Sequence, residues 1–364
     1  MSYNMSSTII IGKIIDWICQ KISRTEATAF PGLICLKLNP ALINQSRLKN
    51  KLHSIIITGT NGKTTTASLL GKVFQQQGIS YIQNRFGSNL LRGIASTLIN
   101  QSNYKGEINK SWGIWEVDEA AVISAVKNLQ PEILIFTNLS RDQLDRYGEA
   151  DKILSDWKQA VKRLPPGAIV VTNLRLAESL HKIRKTYTFA ESAAADYHLN
   201  HLVIVRIISQ LLNFNPAGVS RAFKDFRPVF GREEEVYLNG RKAKIILVKN
   251  PAGFNAVFAK LKTDKLINKY LLIILNDFIA DGTDVSWIYD VNFNYLKSRQ
   301  APVIVSGTRY LDMALRLKYA GIPTAKIIPI DSIQKALTYK PEIILPTYTA
   351  MLKLRQILFK SKFN

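Results

Sequence analysis

The stretch Ile55-Ile56-Ile57-Thr58-Gly59-Thr60-Asn61-Gly62-Lys63-Thr64-Thr65-Thr66 constrains this chain more than any other. A short apolar run ends in a Gly-rich turn, followed by Lys-Thr and a helical pattern from Ala67 to Gln77. That order, strand, loop, helix, is the build of a phosphate cradle. Glycine lets backbone N–H groups approach phosphate oxygens closely, and a helix that starts there turns its positive end toward the anion. Lys63 is then placed for the β- and γ-phosphates, and the Thr64 hydroxyl for Mg²⁺. The common P-loop has a further glycine five residues before its Gly-Lys pair. Ile57 stands there instead, so the loop has a shorter spelling, T-G-T-N-G-K-T-T-T.

The 364 residues are enough for two or three domains with a sizeable core. Hydrophobic content of 47% and charged content of 21% suit a soluble protein, and no run approaches the roughly 20 apolar residues of a membrane span. Met1 to Lys21 lacks the layout of a signal peptide, so a cytoplasmic protein is expected. Cys19 and Cys35 are the only cysteines, which excludes both a disulfide framework and a Cys₄ zinc site within the chain. The net charge of +22 favours anionic partners. No nucleic-acid motif accompanies it, so the charge points either to an anionic membrane or a pyrophosphate-bearing substrate, or simply to a basic proteome.

Apolar strand-like runs alternate with helical patterns. Strands are predicted at His53–Thr58, Ile79–Asn84, Trp112–Val117, Ile133–Asn138 and Ala168–Asn173, with helices near Thr64–Gln77, Asn89–Ile99, Glu119–Leu129 and Ala150–Arg163. This predicts a parallel sheet covered by helices on both faces, with functional loops at the carboxyl ends of its strands. A short strand at Thr186–Phe189 and helices at Leu199–Leu212 and Pro216–Phe226 follow, and Phe226 to Arg232 reads as a hinge. A second alternating region is predicted beyond it, with strands at Ala243–Val248, Leu271–Leu275, Val303–Ser306, Lys326–Pro329 and Ile343–Leu345. It is Rossmann-like but has no G-x-G-x-x-G, so it is not read as a dinucleotide binder. The domains expected are a lead-in segment over 1–50, a nucleotide-binding domain over 51–230 and a second α/β domain over 231–364.

Three polar constellations fall at predicted strand ends. Glu116, Asp118 and Glu119 close one strand. A carboxylate beside a phosphate loop holds Mg²⁺, whereas Asp118 and Glu119 can equally cap the next helix. Thr137-Asn138-Leu139-Ser140-Arg141-Asp142-Gln143-Leu144-Asp145-Arg146-Tyr147-Gly148-Glu149 follows another. In the second region Asp277, Asp281, Asp284 and Asp290 crowd one loop, where they could bind a cation, cap a helix or orient a histidine.

These segments resemble the Mur ligase family in order along roughly residues 30–360. The phosphate loop has the family spelling, and Thr137 to Asp145 resembles its T-N-x-x-x-D-H-L-D, with Gln143 in place of the histidine. That replacement resembles the MurT branch, the ligase subunits of lipid II isoglutaminyl synthase. Asn84 to Asn89, Arg92-Gly93-Ile94-Ala95, Gly231-Arg232-Glu233, Lys249-Asn250-Pro251-Ala252-Gly253-Phe254-Asn255, Ala280 to Asp290 and Leu345 to Met351 resemble it too.

The resemblance implies a shortened P-loop-type Mur ligase central domain followed by a MurT-type α/β domain. It implies ATP and Mg²⁺ as cofactors. Nucleotide contacts would come from Gly59, Thr60, Asn61, Gly62, Lys63, Thr64, Thr65, Asn138, Asn200, Arg232 and Asn250, with Thr64 and Glu116 on the metal. Lys63 and Glu116 would serve catalysis. Asp284 would complete a Cys-His-Asp triad whose other members belong to a GatD-like glutaminase partner. The implied reaction amidates the D-Glu α-carboxylate of the lipid II stem peptide through an acyl phosphate, at the inner face of the cell membrane. Another carboxylic acid, or a non-catalytic nucleotide-binding role, is the alternative. Two departures stand out. The cysteines of the branch's zinc ribbon are missing, so no zinc is expected. The family's G-x-x-N-x-x-N-x-x-A-A helix is degraded to Ala195-Asp196-Tyr197-His198-Leu199-Asn200-His201-Leu202, with Asn200 as the surviving asparagine.

Overall fold

A computed structural model describes residues 4–23, 29–84, 88–139, 147–180, 185–190, 197–226, 232–238, 240–263 and 269–360. These fall into two compact units, one ending at Phe226 and one built from Arg232 onward. The expected hinge at 227–231, the segment 140–146 and residues 85–87 lie outside the described residues.

The first unit opens with three helices, α1 (Met5–Ser23), α2 (Phe30–Leu38) and α3 (Leu42–Asn50). The sequence reading assigned no elements to this stretch. The three helices pack together and onto the first sheet's helical layer, where Ile9, Cys35, Leu42 and Ile43 are buried with Ile94, Leu98 and Ile99. Next come β1 (His53–Thr58), α4 (Lys63–Gln76), β2 (Tyr81–Gln83), α5 (Leu91–Gln101), β3 (Trp112–Glu116), α6 (Val122–Leu129) and β4 (Ile133–Phe136). They are followed by α7 (Tyr147–Lys162), β5 (Ile169–Asn173), α8 (Leu174–Leu180), β6 (Lys185–Phe189), α9 (Tyr197–Leu211) and α10 (Pro216–Asp225). The six strands run parallel in the order β2-β3-β1-β4-β5-β6. β1 and β4 are buried almost throughout, as a strand covered on both faces must be.

Two expected boundaries shift for local reasons. The helix expected from Asn89 starts at Leu91, because Ser88 and Asn89 spend their carbonyls on Asn84 Nδ2 and Asp118 N. The helix expected from Glu119 begins as a 3₁₀ turn over Glu119–Ala121 before α6, with Asp118 Oδ1 accepting from Ala120 N at 3.1 Å.

The second unit holds β7 (Arg232–Leu238), β8 (Arg241–Ile246), α11 (Pro251–Thr263), β9 (Leu271–Ile274), β10 (Val303–Ser306), α12 (Tyr310–Tyr319), β11 (Ile327–Pro329), α13 (Ile333–Leu337), β12 (Ile343–Pro346) and α14 (Tyr348–Lys360). Its order is β11-β10-β9-β12-β8-β7, parallel except for the edge strand β7. Sequence reading missed β7. Its Glu233-Glu234-Glu235 run looks like a solvated segment, yet charges are what keep an edge strand from pairing with other chains. Gly240 closes the hairpin at φ +81°.

Candidate active site

β1 lies between β3 and β4, and the chain leaves it first toward one side of the sheet and later returns on the other. The crevice beyond the carboxyl ends of such neighbouring strands is where open α/β sheets take ligands. Three loops meet here: Gly59–Gly62 after β1, Val117–Asp118 after β3, and Thr137–Asn138 after β4.

The Gly59–Gly62 turn is braced on two sides. Gly59 has φ +133°, and a Cβ there would lie 2.1 Å from Thr137 Oγ1. Thr137 Oγ1 donates to Asn61 O (2.7 Å) and Thr58 O (3.2 Å). Asn138 clasps the turn through three bonds: Thr60 N to Asn138 O, Asn61 N to Asn138 Oδ1, and Asn138 Nδ2 to Asn61 O, each 3.0 Å. Asn138, expected among the ATP contacts, thus has its side chain on the loop itself, and the N–H groups of Thr60 and Asn61 face Asn138. The first turn of α4 presents the remaining N–H groups at the positive end of the helix.

Gly62, at φ +87°, is braced from the other side. A Cβ there would sit 2.4 Å from Cε1 of His201 on α9. His201 is buried, and its Nδ1 lies 2.9 Å from Thr66 Oγ1. Sequence reading chose Asn200, the neighbour, as the surviving polar residue of this helix. Asn200 is half-buried. The signal for His201 was its place one residue on, where the apolar Ile204 and Val205 that follow at helical spacing are buried in the same core.

The charged groups converge at the start of α4. Register pairs Glu116 with Ile57, one residue short of the end of β1. Both Glu116 carboxylate oxygens accept from Thr64 Oγ1, at 2.9 and 2.8 Å. Glu116 is itself pinned by Asn84, which accepts from Glu116 N and donates to Glu116 O at 2.8 Å each. A hydroxyl and a carboxylate in contact at a buried spot offer the hard oxygen donors that Mg²⁺ takes. These residues therefore fit that ion. Lys63 Nζ donates to Gly59 O and to Glu119 Oε2, the latter at 3.0 Å. So the two carboxylates that sequence left as alternatives divide the work: Asp118 caps the 3₁₀ turn and Glu119 pairs with Lys63.

In the second unit, Asn250 Oδ1 accepts from Gly253 N at 2.8 Å and so caps α11. Arg232 begins β7, and its side chain lies outside the described residues. Three of the four aspartates take separate partners, and Asp290 is exposed at the end of the 3₁₀ turn over Ser286–Asp290. The Thr308 hydroxyl and the Arg309 guanidinium hold the Asp277 carboxyl below the usual carboxylate range. Asp281 accepts from Thr349 N (2.8 Å) and Thr349 Oγ1 at the start of α14. Asp284 is exposed and accepts from Ser286 N at 2.8 Å. Among the described residues no group of three or more acidic, His or Cys side chains is arranged to hold a metal. Sequence reading gave Asn276 no role. It ties the loops after β9, β10 and β12 together: its N–H reaches Thr347 Oγ1, its Nδ2 reaches Thr349 Oγ1, and its Oδ1 accepts from Thr308 N.

A loop of this shape is built for phosphates, and the first unit is a P-loop-type nucleotide-binding domain. Residues 57–206 match the Mur ligase middle domain, and residues 247–351 match the MurT ligase C-terminal domain. Both units thus match Mur ligase domains, the second one of MurT type, and the chain is an ATP-dependent ligase. The MurT subunit of lipid II isoglutaminyl synthase (glutamine-hydrolysing) from Staphylococcus aureus strain COL is 26% identical over 431 aligned positions, covering 94% of this chain and 96% of the relative. Its counterpart from Streptococcus pneumoniae R6 is 24% identical, covering 98% and 97%. The 431 aligned positions exceed the 364 residues of the chain, so the relative carries segments this chain lacks. The MurF ligase of Thermotoga maritima, solved in complex with ADP, shares the fold at TM-score 0.67 and 13% identity, with 88% of this chain and 83% of that one covered. No described helix is long and apolar enough to cross a membrane.

Proposed function

We propose that the chain is the ligase subunit of an enzyme that amidates the D-Glu α-carboxylate of the lipid II stem peptide to D-isoglutamine. The observation that carries this is the match to MurT subunits over almost their whole length and almost all of this chain. The substrate carboxylate oxygen attacks the γ-phosphorus of ATP. The bond from that phosphorus to the β–γ bridging oxygen breaks, ADP leaves, and an acyl phosphate forms. Ammonia then adds to the acyl carbon and phosphate departs, with the surplus ammonia proton going to water.

The residues divide these tasks. The first turn of α4 and the Gly59–Gly62 turn seat the phosphates. Lys63 exchanges Glu119 for phosphate oxygens as nucleotide enters, and so meets charge that grows during transfer. Thr64 and Glu116 would hold Mg²⁺, which when bound neutralises phosphate charge. Asn138, Thr137 and His201 keep the loop in shape without touching the reacting atoms. Asn200, Arg232 and Asn250 are proposed nucleotide contacts by resemblance. Ammonia would come from a GatD-like glutaminase, because Cys19 and the buried Cys35, the only cysteines of the sequence, both lie on helices that precede the catalytic sheet. A lipid-linked substrate places the enzyme at the cytoplasmic face of the membrane.

The test is ADP release by the purified chain with lipid II, Mg²⁺ and ammonium, then with glutamine and a co-expressed glutaminase in place of ammonium. Lipid II-dependent release with a product of amide mass is the expected result. Release only with a different carboxylic acid would overturn the substrate assignment.

A further inference from the structure

α1 has two apolar faces, and only one of them is used. Ile9 and Gly12 turn inward: Ile9 is buried, and a Cβ on Gly12 would meet Cys35 Sγ at 2.7 Å and Ile99 at 3.0 Å. On the opposite face Ile10, Ile14, Trp17 and Ile18 are exposed by 42, 53, 57 and 40%. Their spacing of four, three and one residues lines them up as a single stripe along the helix. A contiguous apolar stripe of this kind on a globular unit marks a contact surface.

Charge selects the occupant. Lys21 stands within the stripe, its Nζ 4.2 Å from the Trp17 ring centroid, and Lys13 flanks it, its Nζ 5.7 Å from the ring of Tyr104. Tyr104 is 68% exposed at the edge of the same face. Residues 1–51 carry seven Lys and Arg against two acidic residues, in a chain of net charge +22. Apolar and aromatic side chains bordered by ammonium groups are the pattern of a helix lying in the headgroup region of an anionic bilayer. With 19 residues, Lys13 and Asp16 in its middle and one face packed on protein, α1 lies on such a surface and does not span it.

Orientation agrees with this. Met5 and Ile9 pack against Gly106, just beyond the end of α5, whereas Gly12 meets Ile99 inside it. α1 therefore runs antiparallel to α5. α5 starts at the carboxyl edge of the sheet, next to the loop that Asn84 joins to Glu116. The Trp17–Lys21 end of the stripe thus points toward the edge that carries the phosphate loop.

We propose that the outward face of α1 docks the enzyme on an anionic lipid surface and brings its catalytic edge to a membrane-held substrate. This deepens the reading above and rests on it for the substrate, though lipid binding is read without turnover.

The experiment is co-sedimentation of the full chain with vesicles of phosphatidylcholine alone and with roughly 30% phosphatidylglycerol, a strongly anionic surface. Wild type is compared with Ile14→Asn/Trp17→Ser and with Lys13→Gln/Lys21→Gln, each checked for an unchanged thermal melt. The expected result is binding to anionic vesicles that falls about tenfold in either double variant, since apolar burial and charge both contribute. ADP release is then measured with a water-soluble muropeptide and with lipid II in those vesicles. The variants should match wild type on the first and lose rate on the second. Turnover of detergent-dispersed lipid II without vesicle binding overturns the docking surface and leaves the function standing. Vesicle binding that depends on the stripe, with no turnover of either substrate, does the reverse. A self-dimer in sedimentation velocity that the apolar variant abolishes, without lipid binding, assigns the stripe to a second copy and overturns the proposal.

Discussion

At the scale of single residues, the Thr64–Glu116 contact and the Lys63–Glu119 pair make opposite demands. Glu116 is held by Asn84 on its backbone and by Thr64 on both oxygens, so its position is set before any ligand arrives. Glu116→Ala should lower ATP-dependent turnover by about 10²–10³-fold, the usual scale for losing one preset charge-stabilising group. The Mg²⁺ concentration for half-maximal rate should rise with it, and a titration of ADP release against Mg²⁺ checks both. Glu119 competes with phosphate for Lys63. Glu119→Gln should therefore tighten ATP binding by roughly threefold to tenfold, or about 0.7–1.4 kcal/mol, measured by calorimetry. Weaker binding would show that Glu119 orients Lys63 for the nucleotide and does not restrain it.

At the scale of elements, the phosphate loop depends on a distant helix. Gly62 has a backbone conformation that an L side chain adopts at a cost of about 1–3 kcal/mol, and its missing Cβ makes room for His201. Gly62→Ala should lower stability by more than that backbone cost alone. The double variant Gly62→Ala/His201→Ala should recover part of the loss, because one of the two terms disappears; denaturant melts of the four proteins close the cycle. The loop itself was legible in sequence because strand, turn, Lys-Thr and helix are contiguous. His201 was not, because its contact joins residues 135 apart and depends on how α9 docks. A different reason hid α1: a helix with apolar residues on both faces shows no clean amphipathic period. The α1–α2 seam carries its own test. Cys35 is buried, donates to Thr8 O at 3.3 Å, and burial pushes its thiol up to about 11. It should resist thiol reagents at pH 8 in the folded protein and react on unfolding, when mass spectrometry can locate the label. The folded state keeps this proton while the unfolded chain has lost it, so stability should fall as pH rises from about 9 toward 11.

At the scale of the whole molecule, the two units place different polar groups at their sheets' carboxyl edges, and only one set looks like ligase machinery. In the second unit Asn276, Asp281 and Thr349 spend their polar atoms on one another and brace three strand-end loops. Asp277 is held by Thr308 and Arg309. Asp284 differs: it is exposed, and it accepts a short local bond from Ser286 N. An aspartate that only closes a turn contributes about 1 kcal/mol to stability and nothing to chemistry. An aspartate that orients a partner's histidine fixes its tautomer and stabilises the imidazolium. Asn at this position keeps an acceptor for Ser286 N but removes the charge, so the two roles separate. Asp284→Asn should melt near the wild-type temperature and keep ammonium-driven ADP release, yet lose glutamine-driven release with the glutaminase by at least about 10²-fold, as when a triad loses its orienting carboxylate. Equal loss of both activities would assign Asp284 to the ligase itself, and loss of neither would leave it as the turn residue that its contact to Ser286 describes.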